Sequence, residues 1–110
     1  MRPLEAAKIL CIHISESDRS EGKPLYEAIV ARCRELKMAG ASVFLGLEGY
    51  GETAEMHRAH LVASDRPVLI TVVDSPGNIE RFIPVVSQML DSGLISVSEV
   101  LMTRVEKAVK

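Results

Sequence analysis

The sequence has no tryptophan, and aromatic residues make up only 4% of it. Proteins that bind single-stranded nucleic acid stack bases on aromatic side chains, so this class is disfavoured. An excess of positive charge is also missing, because 13 basic and 15 acidic residues give a formal net charge of −2. The chain therefore lacks the electrostatic field that attracts nucleic acid or an anionic membrane.

Cysteines and long apolar runs are scarce. Cys11 and Cys33 lie within apolar stretches and are too few for a disulfide framework. No apolar run approaches the roughly 20 residues of a membrane-spanning helix, and the N-terminus has no signal-peptide core. We therefore expect a reduced, cytoplasmic protein that does not insert into membranes.

The length of 110 residues and the hydrophobic content of 47% predict one domain, residues 1–110, with its own core. Apolar residues at three- and four-residue spacing predict two helices, which begin at Pro24 and Pro76 and end before Gly40 and Gly93. Alternation of apolar and polar residues predicts four strands: 8–15, 42–48, 68–74 and 94–105. A bulge near Glu99 is expected in the last of these strands.

The order of these elements is strand, helix, strand, strand, helix, strand. It predicts an α+β, ferredoxin-like βαββαβ two-layer sandwich, with two helices on one face of a four-stranded antiparallel sheet. Phe44, Leu69 and Val73 would then share the other face and form a large apolar patch. A closed oligomer that packs sheet against sheet would cover this patch. Cover by a loop or by the C-terminal tail is the alternative.

The connection between the two middle strands, residues 48–66, is longer than most loops and is our first candidate for a functional site. Gly46, Gly49 and Gly51 allow a ligand to approach the backbone, whose N–H groups can bind an anion. Lys23 lies near the start of the first helix, where an anion is also favoured. A simple bend at the end of the strand is the structural alternative for the glycines.

Two histidines in this loop, His57 and His60, are three residues apart and could bind a transition metal with Glu52 or Glu55. Surface histidines without a metal are the alternative, because no further ligand closes the site. No serine lies in a Gly-x-Ser-x-Gly pattern, and no cysteine has a histidine at motif spacing. We therefore do not expect an enzyme.

Several short segments occur together at a spacing typical of one small family. They are residues 22–27, 40–43 with Gly46, 49–51 with His57, 66–74, and Met89 with residues 93–94. From about residue 9 to residue 105, the chain resembles the PII-like family catalogued as domain of unknown function 190. This family is related to the nitrogen regulatory PII signal proteins.

The resemblance implies a homotrimer whose sheets line the centre. PII signal proteins bind adenine nucleotides in clefts between subunits, and their long loop changes shape with the ligand and contacts a partner protein. For this chain, the resemblance implies a non-enzymatic regulatory protein that senses a small anionic metabolite, with an adenine nucleotide as the candidate. Signalling to a partner protein would use residues 49–65. A trimeric metal-binding or metal-tolerance protein that uses His57 and His60 is the alternative.

The resemblance also implies a set of ligand-binding residues. PII proteins have a glycine- and lysine-rich turn before the last strand, whereas residues 91–94 of this chain are short and acidic. Arg104 and Lys107 near the C-terminus could supply positive charge in its place, and a pair of solvated terminal charges is the alternative. The residues themselves and the resemblance together predict this set of ligand-binding residues: Lys23, Gly46, Gly49, Tyr50, Gly51, His57, Arg58 and Arg104.

Overall fold

A computed structural model describes residues 2–49 and 65–106 of the chain. In chain order, the described elements are β1 (Glu5–Ser15), β2 (Arg19–Ser20), β3 (Lys23–Pro24), α1 (Leu25–Glu35), β4 (Ser42–Leu45), β5 (Pro67–Asp74), α2 (Pro76–Met89) and β6 (Leu94–Met102). The predicted long loop between β4 and β5 is thus described only at its two ends.

The main sheet has four strands in the order β4–β5–β1–β6, and every neighbouring pair is antiparallel. This is the order of a split βαβ unit, so the predicted ferredoxin-like fold is confirmed. The short strands β2 and β3 form a hairpin of their own between β1 and α1. The four strands predicted from the sequence did not include this hairpin.

The core lies between one face of the sheet and the two helices α1 and α2. Alternation in β1 and β5 points every second side chain toward the helices, where the apolar stripes of α1 and α2 cover them. The fully buried side chains of this core are Leu10, Ile12, Ile29, Ile70, Val72, Ile79, Phe82 and Val86.

The start of α2 follows the prediction and the end of α1 does not. The Ser75 hydroxyl accepts a hydrogen bond from the Asn78 N–H at 3.3 Å and caps α2. Helix α1 ends at Glu35 rather than before Gly40, because Lys37 adopts a left-handed conformation with φ of 58°. The N–H of Met38 then donates to the Cys33 carbonyl at 3.0 Å, which completes a Schellman motif.

The predicted bulge near Glu99 is wrong. The pairing of β1 with β6 runs without interruption from Glu5 opposite Met102 to His13 opposite Leu94. Glu99 interrupts the apolar pattern of β6. It lies opposite Lys8 in the continuous pairing, so a charged pair takes the place of an apolar one and no residue is added. β4 is also shorter than predicted and ends at Leu45.

The second face of the sheet is open within the described residues. Phe44 and Leu94 have 54% and 60% of their surface exposed on this side. The register places Phe44 opposite Leu69 and Leu94 opposite His13, so apolar side chains from β4, β5 and β6 share this face. The expected closed oligomer, which would cover it, stays a prediction.

Candidate functional site

A cleft of about 670 Å³ lies where the start of the chain, the α1–β4 loop and the end of β6 meet. Thr71 and Val73 of β5 also line it. The remaining lining residues are Arg2, Pro3, Glu5, Ala39, Gly40, Ala41, Ser42, Met102, Thr103 and Arg104.

Strand pairing explains why these distant segments meet. Ser42 lies opposite Thr71 in the β4–β5 pair, and Glu5 lies opposite Met102 in the β1–β6 pair. The two chain ends are then joined directly, because the Thr103 hydroxyl donates a hydrogen bond to the Arg2 carbonyl at 3.1 Å. The cleft is therefore a product of the sheet topology.

The polar groups of the cleft suit an anion. Arg104 lines it and has no ion-pair partner among residues 2–49 and 65–106. Arg2 also lines it, and its Nη2 lies 3.1 Å from Oε1 of Glu106. Ser42 and Thr71 contribute uncharged hydroxyl groups that can donate hydrogen bonds. The carboxylate of Glu5 also lines the cleft, so Arg104 is the cationic group that the described residues leave without an ion pair there. A guanidinium group with nearby hydroxyls is a donor set that recognises carboxylates or phosphates.

Asp74 fixes the α1–β4 loop beside the cleft. Its carboxylate accepts hydrogen bonds from the Ala39 N–H at 2.8 Å, the Ser75 N–H at 2.7 Å and the Asn78 side-chain amide at 3.0 Å. Burial alone would raise the pKa of Asp74, but these hydrogen bonds together hold the pKa below its usual value. The sequence analysis missed this role, although an acidic residue at the end of an apolar strand and before a Ser-Pro cap was a usable signal.

The first end of the long loop crosses Pro67. The Gly46 N–H donates to the Pro67 carbonyl at 2.7 Å. A Cβ atom at Gly46 would lie 2.7 Å from Pro67 Cγ, and a Cβ atom at Gly49 would lie 3.0 Å from the same atom. Both glycines are therefore explained by close packing on a proline ring.

The second end of the loop is held by the turn after β1. The Glu16 N–H donates to the Arg66 carbonyl at 2.8 Å, and Glu16 Oε1 lies 3.3 Å from Arg66 Nε. One residue further on, the Ser17 hydroxyl donates to Asp65 Oδ1 at 2.8 Å. Residues 50–64 therefore begin and end at positions that the rest of the fold anchors.

Comparison with known proteins decides the family. Residues 7–102 match the model of the family DUF190, described as "Uncharacterized ACR, COG1993". The chain belongs to the DUF190 family. A UPF0166 protein of Aquifex aeolicus is 35% identical over 95 residues, which cover 84% of this chain and 90% of the relative. The UPF0166 protein MJ1524 of Methanocaldococcus jannaschii is 34% identical over 96 residues, with 84% and 88% covered.

One solved structure with the same fold is that of CPII from Thiomonas intermedia K12, bound to ADP, AMP and acetate. Its TM-score is 0.58 at 18% sequence identity, and the match covers 94% of both chains. At this identity the likeness shows the fold. The DUF190 chain therefore has the PII-like, ferredoxin-like fold that the sequence resemblance implied.

The ligand-binding residues predicted for this DUF190 protein lie in separate places within one chain. Arg104 lines the cleft, whereas Gly46 and Gly49 pack on Pro67 at the start of β5. Pro67 is four residues from Thr71 of the cleft, about 13 Å along the strand. Lys23 lies in the β2–β3 hairpin and does not line the cleft. An extended ligand or a neighbouring subunit is needed to combine these groups.

Several predicted residues lie outside the described part of this DUF190 chain: Tyr50, Gly51, His57, Arg58 and His60. Their assignments stay predictions, and so does the alternative metal site at His57 and His60. Within residues 2–49 and 65–106, no group of three or more His, Cys, Asp or Glu side chains is placed to hold a metal ion. In the same described ranges, no helix has the length and apolar character needed to span a membrane.

Proposed function

We propose that this DUF190 protein is a small, non-enzymatic regulatory protein that senses a small anionic metabolite. The observation that carries this proposal is the cleft lined by Arg104, whose guanidinium has no ion-pair partner in the described residues and lies among several hydroxyls. An adenine nucleotide is the first candidate, because CPII, which has the same fold, is bound to ADP and AMP.

A homotrimer built through the open face of the sheet is the second part of the proposal. It would cover exposed apolar residues such as Phe44 and Leu94. A closed ring of identical subunits also places different surfaces of neighbouring chains against each other. Arg104 of one subunit and the Gly46–Gly49 segment of the next could then contact the same ligand. Within one chain these two groups lie too far apart for a small ligand to contact both easily.

Signalling would use residues 49–65 and a partner protein. Both ends of this segment are anchored, at Pro67 and at Asp65, so a ligand beside the anchors can favour one arrangement of the loop. A ligand shifts such an equilibrium only as far as it binds one arrangement better than the other.

Thermal unfolding with a panel of nucleotides, cyclic dinucleotides and divalent metals tests the ligand. An anionic ligand at about 100 times its Kd adds about 2.7 kcal/mol, which raises the Tm by about 10 °C in a domain of this size. We expect Arg104→Ala to lose most of this increase. Arg34→Ala, which removes an exposed arginine of α1, is the matched control and should keep it.

Each other outcome has a clear meaning. Equal stabilisation of the wild type and Arg104→Ala by an anion would place the ligand elsewhere. No stabilisation by any anion would contradict the proposed sensing function. Stabilisation by a metal, lost in the His57→Ala, His60→Ala double variant, would support the metal-binding alternative instead.

A further inference from the structure

The cleft is lined by two side chains of opposite charge that are not paired. Glu5 and Arg104 both line it. Neither forms an ion pair with another residue in the part of the chain that the structure describes. Arg2, the other basic residue of the lining, is balanced by Glu106 at 3.1 Å. One carboxylate and one guanidinium group are therefore available to a ligand in the same cleft.

Strand pairing keeps Glu5 and Arg104 close together. Glu5 lies opposite Met102 at the end of the β1–β6 pairing, and Arg104 follows Met102 by two residues. The Thr103 hydroxyl donates to the Arg2 carbonyl at 3.1 Å, so the two segments stay side by side beyond that pair. Residues offset by two on neighbouring strands have Cα atoms about 7–8 Å apart. A small molecule in the cleft can therefore contact both side chains.

The two side chains make different demands on a ligand. A guanidinium group only donates hydrogen bonds, whereas a glutamate carboxylate only accepts them. Arg104 therefore favours an anionic group, and Glu5 favours a hydrogen-bond donor, above all a positively charged one. A ligand that carries negative charge alone would bind Arg104 but would be repelled by Glu5. The cleft is matched by a molecule that carries both kinds of group.

The size of the cleft suits a small molecule rather than a bare ion. Its volume of about 670 Å³ falls within the roughly 300–1,000 Å³ of small-molecule pockets. Pro3, Val73 and Met102 add apolar surface on which a base or an aliphatic chain can pack. A bare phosphate would leave most of this volume, and the carboxylate of Glu5, without a partner.

We propose that the cleft selects an anion that also carries an amino group, and that Glu5 is the residue that recognises the amino group. This inference rests on the proposed sensing of a small anionic metabolite and narrows the class of ligand. Two kinds of metabolite have this chemistry. Adenine nucleotides combine phosphate with the amino group of the base, and amino acids combine a carboxylate with an ammonium group.

Isothermal titration calorimetry with two pairs of ligands tests this inference. AMP is compared with purine riboside monophosphate, and L-aspartate is compared with succinate. In each pair, the second ligand has a hydrogen atom in place of the amino group. We expect the wild type to bind the amino-bearing member of at least one pair about tenfold more tightly or better, because its partner lacks a hydrogen bond to a charged group. The pair that shows this preference identifies the kind of metabolite.

Substitutions of the two charged residues should give different patterns. Glu5→Gln keeps the size of the side chain and removes its charge. It should weaken binding of the amino-bearing ligand by about tenfold and leave binding of the other member equal or stronger. Arg104→Ala should weaken both members by the same factor, since they share the anionic group. Glu27→Gln, which removes an exposed carboxylate of α1, is the matched control and should bind like the wild type.

Other results would overturn the inference. They are equal binding of both members of each pair by the wild type, or a Glu5→Gln variant in which both affinities change by one factor. If binding still depends on Arg104, the proposed sensing function stays intact. The same holds if neither AMP nor L-aspartate binds while another anion stabilises the protein. No binding of any anion would contradict both proposals. The wild-type comparison needs no variant, and circular dichroism checks that Glu5→Gln is folded.

Discussion

Replacing Asp74 with alanine removes an acceptor shared by three donors of the α1–β4 loop and the start of α2. The N–H groups of Ala39 and Ser75 and the side-chain amide of Asn78 all donate to its carboxylate, at 2.7 to 3.0 Å. The residue is only 6% exposed, so water does not easily take the place of the missing carboxylate.

The loss can be estimated donor by donor. A hydrogen bond to a charged group contributes about 1.5–3 kcal/mol, and a buried donor left without a partner costs a similar amount. Ala39 is exposed and its N–H can regain water, whereas Ser75 and Asn78 are partly buried. Counting mainly the latter two donors, we expect Asp74→Ala to lower the free energy of unfolding by about 3 kcal/mol. This is a large part of the roughly 5–15 kcal/mol of a typical domain.

The contribution of Asp74 should depend on pH in one direction. Its pKa in the folded protein is held below the usual value by hydrogen bonds that outweigh the effect of burial. The ionised form therefore stabilises the fold at every pH above the unfolded-state pKa of an aspartate. This stabilisation is lost as the pH falls through the pKa of the folded state, which is lower than that of an ordinary aspartate.

Urea unfolding followed by circular dichroism measures both effects. The difference between the wild type and Asp74→Ala should be constant from pH 8 to pH 5 and should shrink below pH 4. Asp91→Ala removes an exposed carboxylate and is the control, with an expected change within about 0.5 kcal/mol. A loss below about 1 kcal/mol at pH 7, or a difference that does not shrink in acid, would refute the assignment of Asp74 as a buried, ionised acceptor.

Two further predictions concern close packing. Gly46→Ala should destabilise the fold by about 1–3 kcal/mol in urea unfolding, because its Cβ would lie 2.7 Å from Pro67 Cγ. Gly40→Ala, where a Cβ has no neighbour within 4 Å, should change the stability by less than about 0.5 kcal/mol, and equal effects would argue against the packing on Pro67. Burial raises the pKa of Cys33 to about 11. We therefore expect a thiol reagent at pH 8 to modify Cys11 first and Cys33 only when the protein unfolds. Fast modification of Cys33, followed by mass spectrometry, would contradict its burial.

Much of the fold could be predicted because local patterns and tertiary packing agree. Leu10, Ile12 and Ile14 alternate along β1, and all three are buried against the helices. The Ser75-Pro76 pair marks the start of α2, where the serine side chain caps the helix. In each case two or three residues that are close together in the sequence carry the signal.

The wrong or missing predictions concern features that depend on the backbone conformation or on the pairing of distant strands. α1 ends earlier than predicted because Lys37 adopts a left-handed conformation. Glycine is the usual sequence signal for this conformation, and no glycine stands at position 37. The expected bulge near Glu99 ignored the possibility that a charged residue continues the strand opposite Lys8. The cleft was not predicted at all, because only strand pairing brings Arg2 beside Arg104. Of the candidate site, the sequence indicated Arg104 and the glycines but not their separation.

The packing of Gly46 and Gly49 on Pro67, together with the contact of Ser17 with Asp65, has a consequence for protein engineering. The anchors on both sides of residues 50–64 belong to the rest of the fold, so they do not depend on what is inserted between them. Closing a flexible insert between fixed ends costs only about 0.6 kcal/mol for each doubling of its length. This DUF190 protein should therefore accept a foreign peptide or a reporter domain in place of residues 50–64, while its core keeps its stability.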